Sequence, residues 1–144
     1  MQIYLACTVR GDRGAVRELR TLVASLETAG HTVLTKHLLE DNVETAESTL
    51  TERAVYERDI DWLEACDILI ADASGSSFGV GFEVGYVLGR SDRTNQQVLL
   101  LYRADRRDRI SRLIVGNAHP RCRVVPYETA AILEATVLAM IERG

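Results

Sequence analysis

Asp67-Ile68-Leu69-Ile70-Ala71-Asp72-Ala73-Ser74-Gly75-Ser76-Ser77-Phe78-Gly79-Val80-Gly81-Phe82-Glu83-Val84-Gly85-Tyr86-Val87-Leu88-Gly89 is the stretch on which the fold turns. Residues 67–71 form a short run dominated by apolar side chains, as in a strand covered on both faces. Residues 72–77 are small and polar, as in a loop. Residues 78–89 read as a glycine-rich helix whose one ionisable group besides a tyrosine is Glu83. A carboxylate there has two readings. It is either an anion in a first helical turn, favoured by the helix dipole, or a reacting group around which a pocket is built.

Working outward, the same unit recurs. Residues 2–7, Gln-Ile-Tyr-Leu-Ala-Cys, read as a buried first strand, followed by the loop 8–14. Val16, Leu19, Leu22, Val23 and Leu26 repeat at helical spacing within 15–29, and Gly30 supplies a stop. Residues 31–35 make a second strand, and 40–50 are acidic and aperiodic, expected as loop or frayed helix start. A helix over 51–65 places Val55, Tyr56, Ile60, Trp62 and Leu63 on one side, with Asp59 among them and Glu57, Asp61 and Glu64 opposite. Further strands are expected at 97–102 and 122–125, a short helix containing Ser111 at 107–115, and a closing helix at 129–143. The alternation predicts one α/β domain over residues 1–144, a doubly wound (Rossmann-like or flavodoxin-like) fold on a five-stranded parallel sheet. Ligands of such sheets bind beyond the carboxyl ends of the strands, which singles out loops 8–14, 72–79 and 103–109.

Composition narrows the function classes. A chain of 144 residues with 47% hydrophobic and 26% charged residues is an ordinary globular protein. Its net charge of −4 speaks against a nucleic-acid coat. The arginines at 103, 106, 107, 109 and 112 alternate with acidic residues and read as a solvated helix face. Cys7, Cys66 and Cys122 are an odd set without a CxxC pair, expected as free thiols in the cytoplasm. No secretory leader is expected from Met-Gln-Ile-Tyr-Leu, and no apolar run is long enough for a membrane span.

Several chemistries lack their motifs. Neither G-x-G-x-x-G nor GxxxxGK[ST] occurs, and G-x-S-x-G is missing. His31, His37 and His119 have no ligand spacing, so neither a metal nor an organic cofactor is expected. What stands out is a pair of carboxylates in apolar surroundings, Asp59 and Glu83. Two carboxyls in different environments are the working parts of glycosidic bond cleavage. Asp59 also has a structural reading, as a buried cap or the partner of an arginine. Hydroxyl and glycine loops with Arg10 are suited to hold a phosphate at helix N-termini.

These residues resemble the nucleoside 2-deoxyribosyltransferase superfamily, and within it the 2'-deoxynucleoside 5'-phosphate N-hydrolases. The likeness lies in Ile3-Tyr4-Leu5-Ala6 with Val9-Arg10-Gly11, in Thr32–His37, in Glu57–Leu63 with Ala65-Cys66-Asp67, and in Ser77–Gly85, with a weaker match at Arg109–Gly116. The resemblance implies that Glu83 attacks the anomeric carbon, that Tyr4 orients it, and that Asp59 protonates the leaving base. It implies a 5'-phosphate cradle at Thr8, Val9, Arg10, Gly11, Ser77 and Gly79, with His37 near the base. It further implies a homodimer in which Ser111 reaches the partner's phosphate. Cys7-Thr8 stands where the family usually has Gly-Ser, a departure that bears on substrate choice. Alternatives of the same resemblance are a deoxyribosyltransferase and a cytidine-type ribonucleotide (CMP) N-glycosidase, and a non-catalytic nucleotide sensor is a third.

Overall fold

A computed structural model describes residues 1–142. Five strands, β1 (Gln2–Ala6), β2 (Thr32–Val33), β3 (Ile68–Asp72), β4 (Gln97–Arg103) and β5 (Cys122–Tyr127), form one sheet in the order β2-β1-β3-β4-β5. Every neighbouring pair is parallel, which is the predicted architecture. The register aligns Tyr4 with Leu69 and Ala6 with Ala71 at the centre.

Strand side chains alternate, so each central strand serves two cores. Ile3, Leu5 and Ile70 face α1 (Val16–Thr28) and the last helix. Tyr4, Ala6, Leu69 and Ala71 face the opposite layer. In chain order the remaining helices are α2 (Val43–Glu47), α3 (Glu52–Ala65), α4 (Phe78–Gly89), α5 (Arg112–Val115) and α6 (Ala130–Ile141). Leu19, Leu22, Val23 and Leu26 bury the inner stripe of α1 as their spacing demands. The helix stops at Gly30, whose φ of 84° suits a residue without Cβ.

The chain leaves β1 toward one face, through α1, and leaves β3 toward the other, through α4. Their exits diverge at the carboxyl ends of β1 and β3, the switch point of this strand order, which is where open sheets of this kind place their ligand crevice.

Boundaries differ from the sequence reading where side chains or tertiary contacts intervene. Strand β1 ends at Ala6 rather than Cys7. Strand β2 is shorter than 31–35 because the Thr35 hydroxyl takes over both backbone groups of Leu5, accepting from its N–H at 2.8 Å and donating to its carbonyl at 2.7 Å. The chain then tightens into a 3-10 turn, Lys36–Leu39. Part of 40–50 is the short helix α2, pinned by buried Val43. No continuous helix runs over 107–115: a 3-10 turn spans Ala104–Arg109, and Ser111 precedes α5 as its N-cap. Tyr56, expected on the apolar side of α3, is exposed. The arginine cluster is not wholly a solvated face, since Arg106 Nη2 pairs with Asp12 Oδ2 at 2.6 Å and ties the β4 exit to the β1 exit. Strand β5 runs on to Tyr127; its Pro126 is tolerated because this strand is at the sheet edge. Helix α6 matches its expected span to Ile141, and the predicted end at Arg143 lies outside the described residues.

The two loops that rim the crevice touch at Gly75. A Cβ added there falls inside the Thr8 hydroxyl and 2.7 Å from the backbone oxygen of Asp12. Gly75→Ala is therefore expected to destabilise the protein by about 1–3 kcal/mol, read as a lower urea midpoint at unchanged slope.

Candidate active site

Tyr4 sits mid-strand in β1 with no exposed surface, aimed at the α4 layer. Its hydroxyl donates to Glu83 Oε1 at 2.6 Å. Glu83 lies six residues into α4, in the second turn, so the first-turn dipole reading does not hold. Burial pushes its carboxyl up to about 7; the hydrogen bond from Tyr4 opposes this, and the charge of Asp59 adds to it. The Tyr4 phenol is raised far above its usual range by burial and by the Glu83 charge, so it remains a proton donor. Because the folded-state value of Glu83 lies above its ordinary value of 4.5, its contribution to stability is complete below that value. The contribution is lost as pH rises through 7.

Asp59, on α3, is partly buried. Arg58 Nε donates to its Oδ1 at 2.9 Å, and Arg58 Nη2 is 2.8 Å from the same oxygen. Burial nonetheless outweighs the arginine and raises the Asp59 carboxyl. The other side of Arg58 meets Glu47 of α2, with Nη1 2.8 Å from Oε1 and Nη2 3.3 Å from Oε2. His37 Nε2 is 3.3 Å from the same Glu47 Oε1. Trp62 closes the group: the Arg58 guanidinium is 4.9 Å above its ring, and the His37 ring is 5.5 Å away. His37 and Asp59 are thus joined in one cluster through Glu47 and Arg58. Glu47 and Arg58 were not foreseen. Arg58 adjoins Asp59 in sequence and offered a signal, whereas Glu47 lies in an aperiodic segment that offered none.

The other side is made of loop backbone. Thr8 is buried and its Oγ1 has no hydrogen-bond partner among the described residues. Val9 packs on the α1-side core. Gly11 has φ 116°, a region that favours glycine. Arg10 is exposed and reaches Glu44 Oε1 at 3.8 Å. Ser76 adopts φ 51°, and the turn it makes leads to Ser77, the extended N-cap of α4, whose hydroxyl makes no cap bond. Gly79 is exposed in the first turn, where backbone N–H groups lack helical partners. Ser111 is exposed on the β4–β5 connection, and among the described residues its side chain has no hydrogen bond to Tyr4, Asp59 or Glu83.

The family model of nucleoside 2-deoxyribosyltransferase matches residues 3–120. The chain belongs to this family. A putative 2'-deoxynucleoside 5'-phosphate N-hydrolase 1 of Thermofilum pendens is 40% identical over 127 residues, 88% of this chain and 85% of that protein. The human 5-hydroxymethyl-dUMP N-hydrolase is 31% identical over 98% of this chain and 77% of its own. Among solved structures, a Clostridium botulinum CMP N-glycosidase, BcmB, superposes with a TM-score of 0.72 over 97% of this chain and 99% of that one. At 16% identity that likeness speaks for the fold. The deoxyribosyltransferase fold thus carries here a buried carboxyl with a tyrosine donor, a second carboxyl with an arginine, and two small-residue loops with unused donors.

Carboxyl NMR should show Glu83 titrating near pH 7 in the free protein. In Tyr4→Phe the midpoint should move to higher pH, because the bond lost is the one that favours the charged form. A fall, or no change, would show that Tyr4 does not stabilise the carboxylate.

Proposed function

We propose that this protein hydrolyses the N-glycosidic bond of 2'-deoxynucleoside 5'-monophosphates, giving free base and deoxyribose 5-phosphate. The reading is carried by the Tyr4–Glu83 pair, buried at the switch point with Asp59 close enough to raise the Glu83 carboxyl. The names of the relatives support it.

Glu83 is the nucleophile. With Oε1 held by Tyr4, Oε2 attacks C1'. The C1'–N bond breaks, its electron pair passes to the base, and the base takes the proton of Asp59. The glycosyl ester on Glu83 is then opened by water, whose oxygen bonds to C1' while its proton returns to Asp59. Covalent capture divides one hard displacement into two. Proton donation contributes roughly 10²–10⁴-fold. The Thr8 and Ser77 hydroxyls, Arg10, and the backbone of Val9, Gly11 and Gly79 hold the 5'-phosphate at the start of α4. His37 stands on the base side.

The site is completed in a homodimer, with Ser111 supplied by the partner subunit. What supports this is an apolar face on α3 and α4. Phe78 is 98% exposed, Phe82 and Tyr56 are about half exposed, and Phe82 stacks on Tyr86 at 6.1 Å. Gly81, Gly85 and Gly89 follow the same helix at four-residue spacing, and a Cβ on any of them meets nothing within the chain. We assign the protein to the cytoplasm, where Cys7, Cys66 and Cys122 persist as free thiols.

Released base is to be quantified with deoxynucleoside monophosphates, ribonucleoside monophosphates, and deoxynucleosides with and without an acceptor base. Release only from deoxy-monophosphates is expected. Exchange on unphosphorylated nucleosides would identify a transferase, preference for CMP a ribonucleotide glycosidase, and binding without turnover a sensor. Glu83→Ala should lose roughly a thousandfold in rate, about 4 kcal/mol, and wild-type rates would refute the nucleophile. Phe82→Arg should sediment as a folded monomer and bind monophosphates more weakly, matching Ser111→Ala.

A further inference from the structure

The established likeness to N-hydrolases says nothing about why α2 is where it is. This five-residue helix has one buried apolar anchor, Val43, and lies far in sequence from the strands of the crevice. Its last residue, Glu47, is nevertheless among the less exposed carboxylates, with 16% of its side chain accessible. Burial works against its charge, yet the two bonds from Arg58 hold its carboxyl below the usual range. A carboxylate that favours its charged form thus stands one arginine away from Asp59.

Arg58 links it to the chemistry. One guanidinium contacts Glu47 through two nitrogens and Asp59 through two, and sits 4.9 Å from the centre of the Trp62 ring. Neighbouring side chains on a helix point in different directions, so Arg58 and Asp59 would diverge without an outside anchor. Glu47 supplies that anchor from α2, and His37 braces it from the 3-10 turn. A planar guanidinium held at both ends has little rotational freedom, and neither does the carboxyl it grips.

We propose that Glu47, acting through Arg58, is a positioning residue that orients Asp59 and keeps it competent to protonate the leaving base. This rests on the reading of Asp59 as the acid. The groups facing Asp59 are Arg58 on its own helix, Glu47 on α2, His37 on the 3-10 turn, Glu83 on α4 and Tyr4 on β1. Of these, Arg58 and His37 favour the Asp59 carboxylate, while Glu47 disfavours it and offsets the arginine. Left alone with Arg58, Asp59 would hold its proton less well.

The test uses two substrates and one titration. Deoxyribose 5-phosphate carrying a natural purine needs its leaving group protonated, whereas the same sugar phosphate carrying p-nitrophenolate does not. Glu47→Gln and Arg58→Gln should each lose about tenfold or more in kcat on the purine substrate and little on the nitrophenyl one, following Asp59→Asn. Carboxyl NMR, in a Glu83→Gln background to silence the coupled group, should show the Asp59 midpoint falling in Glu47→Gln and rising in Arg58→Gln. General loosening would expose Asp59 and move both midpoints down, so shared direction overturns the proposal. Equal losses on both substrates in Glu47→Gln and Arg58→Gln, with Asp59→Asn selective, also overturn it and leave the acid intact. If Asp59→Asn itself shows no selectivity, the acid reading fails instead. Should Glu47→Gln not fold, Arg58→Lys, which keeps the charge and loses the fork, must show the same selective loss on purine.

Discussion

The hydrogen bond from Tyr4 to Glu83 is the contact on which the rest of the site depends. It joins the centre of the sheet to the second turn of the glycine-rich helix, so it exists only if β1 lies inside the sheet and α4 packs over it. The strand order flanks β1 with β2 and β3, and Val80, Val84 and Val87 of α4 pack in the same core as Tyr4. The same burial that makes the bond also desolvates the carboxyl and raises its proton affinity toward neutrality. A carboxyl poised there suits the nucleophile role we propose, and holding its charged form costs stability, as functional sites commonly do.

Around that contact the crevice has two unlike halves. The half we propose for the phosphate is made from backbone and small hydroxyls, and an anion is best met by N–H groups at a helix start and by loops without bulky side chains. Its close fit appears at Gly75, where the two loops leave no room for a methyl group. The half we propose for the base is made from side chains that hold one another: His37, Glu47, Arg58, Asp59 and Trp62. The proton exchange we propose for Asp59 needs a defined partner and partial burial, and Arg58 with α3 supplies both.

Much of this was legible in the chain. Alternating apolar strands and helices with the stop at Gly30 carry the parallel sheet, and the stretch 67–89 carries the strand-loop-helix that opens the crevice. Asp59 and Glu83 stand out in the sequence as carboxylates in apolar settings, a local signal, whereas Tyr4 is named only by the family resemblance. Ser111 was harder: short helical spacing near it suggested a continuous helix, whereas the chain makes a 3-10 turn and restarts. The arginine cluster looked solvated because charge alternation cannot reveal that Arg106 finds Asp12 across the sheet ends. Strand β2 reads longer in the sequence than it is, because a threonine that satisfies a neighbouring backbone by its side chain looks like any other β-branched strand residue.

By itself the sequence determined the fold class, the position of the loops that matter and the pair of carboxylates, since hydrophobic period and out-of-place polar residues are local properties of the chain. Only the tertiary structure decided that Glu83 is in a second turn under a tyrosine rather than at a helix start. It alone brought Glu47 from an aperiodic segment to Arg58 and Asp59. The physical reason is the same in each case: proton affinity and side-chain orientation are set by desolvation and by partners distant in sequence, and neither is written in the spacing of residues along it.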